Sequence, residues 1–184
     1  LEQSNLVNVT FVECNFESAV FVRSQITGCS FQNCNLTRSN LGACHINTSQ
    51  FRKCNMEETV LSSATIDDTE FLECHFSQNI IKTLTLTDSV ILRSSFIGVI
   101  VEGGAFRNVD IDQTRLERVM CQKVDWAETK LKDSQITRCI WLDSRLTKLR
   151  IYNCEGEKAL FNTDTVISGS EIVGSTLNMM NFRD

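Results

Sequence analysis

FVECNF (11–16), FQNCNL (31–36), FRKCNM (51–56) and FLECHF (71–76) are one phrase written four times, twenty residues apart. Its cysteines recur at 14, 34, 54 and 74, and its opening phenylalanines at 11, 31, 51 and 71. The phrase sits inside a shorter rhythm. Every fifth residue from Leu1 to Ile151 is Leu, Phe, Ile, Val, Met, Trp or Cys. An α-helix cannot bury such a set, because five steps of about 100° leave successive side chains about 140° apart around the cylinder. A flat strand fails too, since an odd period alternates its faces. A chain that turns a corner every five residues puts all of them inside.

Two places before each apolar centre the residues are mostly small: Ser4, Cys14, Ala19, Ser24, Cys29, Cys34, Ser39, Cys44 and onward. Two places after it they are nearly all polar, as at Glu13, Arg23, Asn33, Lys53, Glu73 and Asp88. The block reads small, polar, large apolar, variable, polar. It resembles the pentapeptide-repeat family, whose consensus is roughly Ala-(Asp/Asn)-Leu-x-x, over at least residues 1–151. The resemblance implies an all-β fold: a right-handed, quadrilateral parallel β-helix (a solenoid) with four pentapeptides to a coil. The twenty-residue phrase supports that coil length independently. A chain of 184 residues then makes about nine coils, a rod on the order of 44 Å long at a rise of about 4.8 Å per coil. Phe11, Phe31, Phe51 and Phe71 are expected to form one ladder, continued by Ile91, Ile111, Leu131 and Ile151.

The pattern slips once. Gly156 stands where an apolar centre belongs, Phe161 restores the phase, and the later centres move by one residue to Ile167, Ile172, Leu177 and Phe182. A single-residue insertion near 162–166 is expected, as a bulge or a longer corner. Residues 1–184 therefore read as one repeat domain with a slip near 156–166. Leu1 in place of a start methionine, and two ends without polar caps, point to a piece of a larger chain.

Eight of the nine cysteines fall in the small inward slot, and Cys121 takes a large central one. Free cysteine packs as a small hydrophobe. The column Cys14, Cys34, Cys54, Cys74 continues as Ser94, Thr114, Ser134 and Cys154, which a metal site would not tolerate. Parallel inward side chains also present poor disulfide geometry. The thiols read as packing, with no metal and no cofactor expected. Their number and the absence of a secretory segment suggest a reducing compartment: the cytoplasm, or export by a specialised secretion system without a cleaved signal. No apolar run approaches a membrane span. His45 and His75 fall in outward slots, and no phosphate loop, paired metal motif or nucleophile elbow occurs. A solid core would leave no cleft for catalysis, so the chain is not expected to be an enzyme.

Function is then expected on the outside. The outward position before the centre is mostly polar on three sides of the coil. On the fourth it reads Val20, Asn40, Val60, Ile80, Ile100, Met120, Ile140, Leu160. Such an apolar stripe marks a docking surface for a protein partner, an adjoining domain or a second copy of the chain. The net charge of −5 is uneven: −6 over residues 1–114, +4 over 115–150 and −3 over the rest. Glu57, Glu58, Asp67, Asp68, Glu70 and Glu73 form a candidate acidic patch. Some members of the resembled family mimic duplex DNA and bind DNA gyrase. The basic run Arg115, Arg118, Lys123, Lys130, Lys132, Arg138, Arg145, Lys148, Arg150 speaks against that here, and direct nucleic-acid binding is not expected. Other members are scaffold modules of larger bacterial proteins, including effectors and secretion components. A non-catalytic scaffold is the leading expectation and gyrase modulation the alternative.

Overall fold

The computed structural model describes residues 1–162, 164–178 and 181–182. It is a parallel β-solenoid of about nine turns, with no helix among the described residues. Strands pair in parallel at a separation of twenty: Asn5 with Gln25, Gln25 with His45, Phe31 with Phe51, Ile91 with Ile111. Each coil has four sides. Face 1 carries the centres Leu6, Ile26 and Ile46. Face 2 carries Phe11, Phe31 and Phe51, face 3 carries Phe16, Leu36 and Met56, and face 4 carries Phe21, Leu41 and Leu61.

The corners explain both the rhythm and the composition. The second residue after a centre takes a left-handed backbone almost everywhere, from Gln3 (φ 54°) to Lys158 (φ 58°). There its N–H donates to the coil above, as Asn8 does to the Thr27 carbonyl at 2.9 Å. The residue before the centre donates to the coil below, as Gln25 does to Ser4 at 2.9 Å. Proline has no N–H and cannot adopt positive φ, so a ladder that uses these amides explains a chain without one.

Sides differ along the rod. In the first three coils, faces 3 and 4 are turns joined by single bridges, such as Asn15 to Asn35 and Asn40 to Val60. The Oδ1 atoms of Asn15, Asn35, Asn40 and Asn55 accept the N–H two residues on, which bends the backbone out of strand geometry. On face 3 the turns give way to a strand where His75 replaces asparagine, and on face 4 where Ile80 follows Val60. The strands Ile80–Thr87 and Ile100–Arg107 run on around a corner, merging faces 4 and 1 into one sheet. Leu84 fills a small slot at that corner. Its neighbour Gly104 has φ +97°, and a Cβ there would lie 2.1 Å from the Leu84 carbonyl oxygen.

The slip lies in the last coil. Ile140 pairs with Leu160 at twenty residues, but Leu146 pairs with Ile167 at twenty-one. The extra residue therefore lengthens the corner after Phe161 and adds no strand bulge. Asn162 holds that corner, accepting the Asp143 N–H at 2.8 Å; Thr163 lies outside the described residues. At Gly156 the missing side chain is replaced by Leu177, whose Cδ2 lies 2.5 Å from where a Cβ would stand.

Inside, the aromatic column changes face as it climbs. Phe31, Phe51 and Phe71 stack on face 2 at 4.7 and 5.1 Å. Stacking passes to Phe76 and Phe96 on face 3 (4.4 Å), to Phe106 and Trp126 on face 1 (4.6 Å), and to Trp141 and Phe161 on face 4 (4.8 Å). The expected solid core is not fully realised. Where the column switches sides, aliphatic neighbours leave an apolar cavity of about 60 Å³. Cys121, one coil below Trp141, does not compensate its volume completely.

The small slot does more than fill space. Cys34, Cys54 and Cys74 direct Sγ at the carbonyls of Phe11, Phe31 and Phe51 in the coil below, at 3.6, 3.4 and 3.2 Å. Ser94 continues with its Oγ 3.3 Å from the Phe71 carbonyl, and accepts the Cys74 N–H at 3.0 Å. Cysteine, serine and threonine are interchangeable because each supplies one short donor at the same point. All nine thiols are free and eight are fully buried, with Cys14 half-buried. Burial pushes Cys139 up to about 11 and Cys121 higher still.

Candidate interaction surface

The stripe is one column on face 4. Backbone pairing carries it without a break from Ile80 through Ile100, Met120 and Ile140 to Leu160. Val20 and Val60 extend it below through bridges to Asn40. Ile80 is 60% exposed, against 45% for Val20 and 37% for Val60. Ile100, Met120, Ile140 and Leu160 are half-buried. Single exposed valines occur elsewhere, as at Val7, Val12 and Val90, but they do not continue from coil to coil.

Relief around the stripe is low at its middle. Gln78 and Gly98 form one corner beside Ile80 and Ile100; Ser63, Thr83 and Gly103 form the other. A Cβ at Gly98 would meet nothing within 4 Å. Lys82 and Glu102 share the face and pair with each other at 3.3 Å. Higher up, the first corner column turns cationic with Arg118, Arg138 and Lys158. Beside Ile80 and Ile100 the charges on the face are thus a mutually paired Lys82 and Glu102, and toward Leu160 one edge gains Arg118, Arg138 and Lys158, of which Arg118 pairs with Glu117 and Lys158 with Glu157.

The acidic residues are not one patch. Asp67, Asp68 and Glu70 gather at the corner between faces 1 and 2, near Asp88. Glu57 and Glu58 follow the Met56 centre, at the corner between faces 3 and 4, half a lap away. Glu73 sits at a third corner, tied to Lys53 at 3.7 Å and Arg93 at 3.3 Å. Closeness in sequence misled here, because ten residues of this chain reach the opposite side. The basic residues likewise encircle the rod. Several are paired: Lys130 with Asp110, Lys132 with Asp112 and Asp133, Lys148 with Glu128, Arg118 with Glu117.

His45 is exposed, and His75 Nδ1 lies 2.6 Å from Ser95 Oγ on the surface of face 3. Among the described residues no group of three His, Cys, Asp or Glu side chains could hold a metal ion. No helix among them is long and apolar enough to cross a membrane.

Two family models match: pentapeptide repeats, in eight copies, over residues 4–42, and the pentapeptide repeat region over 24–99. The chain belongs to the pentapeptide-repeat family. No curated protein matches its sequence. Among solved structures it is similar to HetL, a pentapeptide repeat protein involved in heterocyst differentiation regulation from the cyanobacterium Nostoc sp. strain PCC 7120. Identity is 10%, with 97% of this chain and 87% of that one covered at a TM-score of 0.52. A trypsin-treated form of QnrB1, a plasmid-mediated fluoroquinolone resistance protein, is 15% identical over 97% and 91% of the two chains, with a TM-score of 0.43. Rfr23, from the cyanobacterium Cyanothece 51142, is 14% identical over 91% and 90%, with a TM-score of 0.34. At these identities HetL shows the shared fold and nothing about activity.

Proposed function

We propose that this pentapeptide-repeat rod is a non-catalytic scaffold that docks a partner protein on face 4. The observation that carries the reading is the unbroken apolar column from Ile80 to Leu160, on a face whose middle corners include Gly98 and Gly103. Burying a half-exposed Ile or Met is worth on the order of 1 kcal/mol each, so such a row supports a stable contact. The cationic edge at Arg118, Arg138 and Lys158 fits an apolar ridge flanked by acidic residues at one end. Chemistry of the catalytic kind needs polar groups converging in a pocket, and the interior cavity is lined by apolar side chains. The free thiols suit a reducing compartment, or export without a cleaved signal.

A photo-reactive side chain at Ile100 tests this, with one at Gln50 on face 2 as control. Crosslinks at position 100 to one partner segment with acidic flanks are expected, and they vanish when Ile80→Asp is added while the fold persists by circular dichroism. Equal crosslinking at both positions overturns the reading. Crosslinks to another copy of the rod would replace the partner with a homodimer. The gyrase alternative has its own arm: inhibition of gyrase supercoiling that survives Ile80→Asp and is lost on reversing Asp67 and Asp68 would favour it over docking on face 4.

A further inference from the structure

The cavity at the switch of the aromatic column has properties that the scaffold reading does not use. It spans coils four to eight, measures about 60 Å³, and presents no polar atom on its wall. Water needs two to four polar partners to settle in such a space and finds none. The void comes from a run of modest side chains on face 4. Between Ile81 and Trp141 that column carries only Val101 and Cys121. Phe96 ends its own stack one coil below Leu116, so on face 3 the rings give way to Leu116 above it.

Collapse is prevented by the backbone. Ile100, Met120 and Ile140 each donate to the coil below at 2.9 Å, which fixes the coil spacing whatever the side chains do. The space is therefore preformed, and an occupant does not have to open it. One lining side chain, Phe96, is only half-buried, and the outer side of neighbouring Gly98 is open. Phe96 is thus the most exposed side chain of the lining. The lining is rich in polarisable groups, including Phe76, Phe96, Trp126, Trp141 and the Cys121 sulfur, which favour dispersion over hydrogen bonding.

We infer that this cavity is a binding site for one small, uncharged, apolar molecule of roughly xenon size, entering beside Phe96. A larger engineered apolar cavity of about 150 Å³ stays dry and binds xenon or benzene; the smaller volume here selects the smaller guest.

Xenon is the probe. The full chain, labelled at Ile, Leu and Val methyls, is equilibrated under rising xenon pressure and followed by NMR. Saturable shifts at Leu84, Val101 and Val119 are expected, with Ile26 and Ile46 in the solid lower coils unmoved. Cys121→Leu should fill the space and weaken binding at least tenfold. Val101→Ile, which repeats the residue one coil below, should weaken it several-fold and serves if the first variant does not fold. Phe96→Ala should speed exchange and retain binding. Non-saturating shifts spread over all methyls, or unchanged binding in a folded filled variant, would overturn the proposal.

Discussion

The first four coils and the next four obey one winding rule and fill it differently. Below, phenylalanines stack on face 2, faces 3 and 4 of the first three coils are turns, with asparagines at Asn15, Asn35, Asn40 and Asn55, and the small slot holds mostly Cys, Ser, Thr and Ala. Above, rings move from face to face, all four sides are strands, and the slot admits Val99, Val109, Val119, Val124 and Leu149. The backbone ladder is indifferent to this exchange, since its hydrogen bonds stay at 2.7–3.2 Å throughout coils two to eight. Main-chain bonding sets the shape of a solenoid. Side chains decide how well each stretch is packed.

That contrast can be broken most directly at two rings. Phe51 is fully buried between Phe31 and Phe71, so Phe51→Ala should cost about 4 kcal/mol in chemical denaturation. Phe96 is half-buried beside existing space, and Phe96→Ala should cost roughly half as much. Equal losses would mean that the two halves are packed alike.

A pH experiment sharpens it from the upper half. The thiol of Cys139 is pushed up to about 11 by burial, above its ordinary value of 9.0. Below pH 9 both folded and unfolded thiols are protonated and the contribution is complete. Between 9 and about 11 the unfolded thiol ionises first, so stability falls as pH rises, by about 2–3 kcal/mol in all. Cys139→Ala should remove that component from the stability–pH curve, since the next residue in its column is Ala159, which packs buried. An unchanged slope in the variant would refute it.

The smallest effect belongs to the lower half. Asn35 Oδ1 accepts from the Thr37 N–H at 3.1 Å, and its amide donates to Asn15 at 3.1 Å. Asn35→Ala should lower stability by about 1 kcal/mol and speed amide exchange at Thr37. No change at Thr37 would show that the turn does not need its side-chain bond.

The winding was legible because it needs only a count by fives and twenties, and the stripe because it is a column in that count. Other features need information the count does not carry. Asp68 and Asp88 are neighbours twenty residues apart, while Glu58 and Asp68 face opposite ways, so grouping acids by proximity in sequence failed. The cavity depends on four inward columns summed at one height, and no single column announces it. The small slot showed its size in the sequence, but not that Cys54 directs its thiol at the Phe31 carbonyl. Asn79 is the residue that could have given a clue. It is too large and polar for its slot, and its amide bonds the carbonyls of Met56 and Thr59 where the faces change character.

The lengthened corner after Phe161 carries a consequence for how such a rod grows. One added residue there moved every later pairing from twenty to twenty-one and turned nothing inside out, since Ile151 still meets Ile172 and Gly156 still meets Leu177. The same insertion within a side, unless taken up as a bulge, would turn the rest of that strand's inward residues outward. The molecule can thus be lengthened at a bend without disturbing the columns that fill its interior.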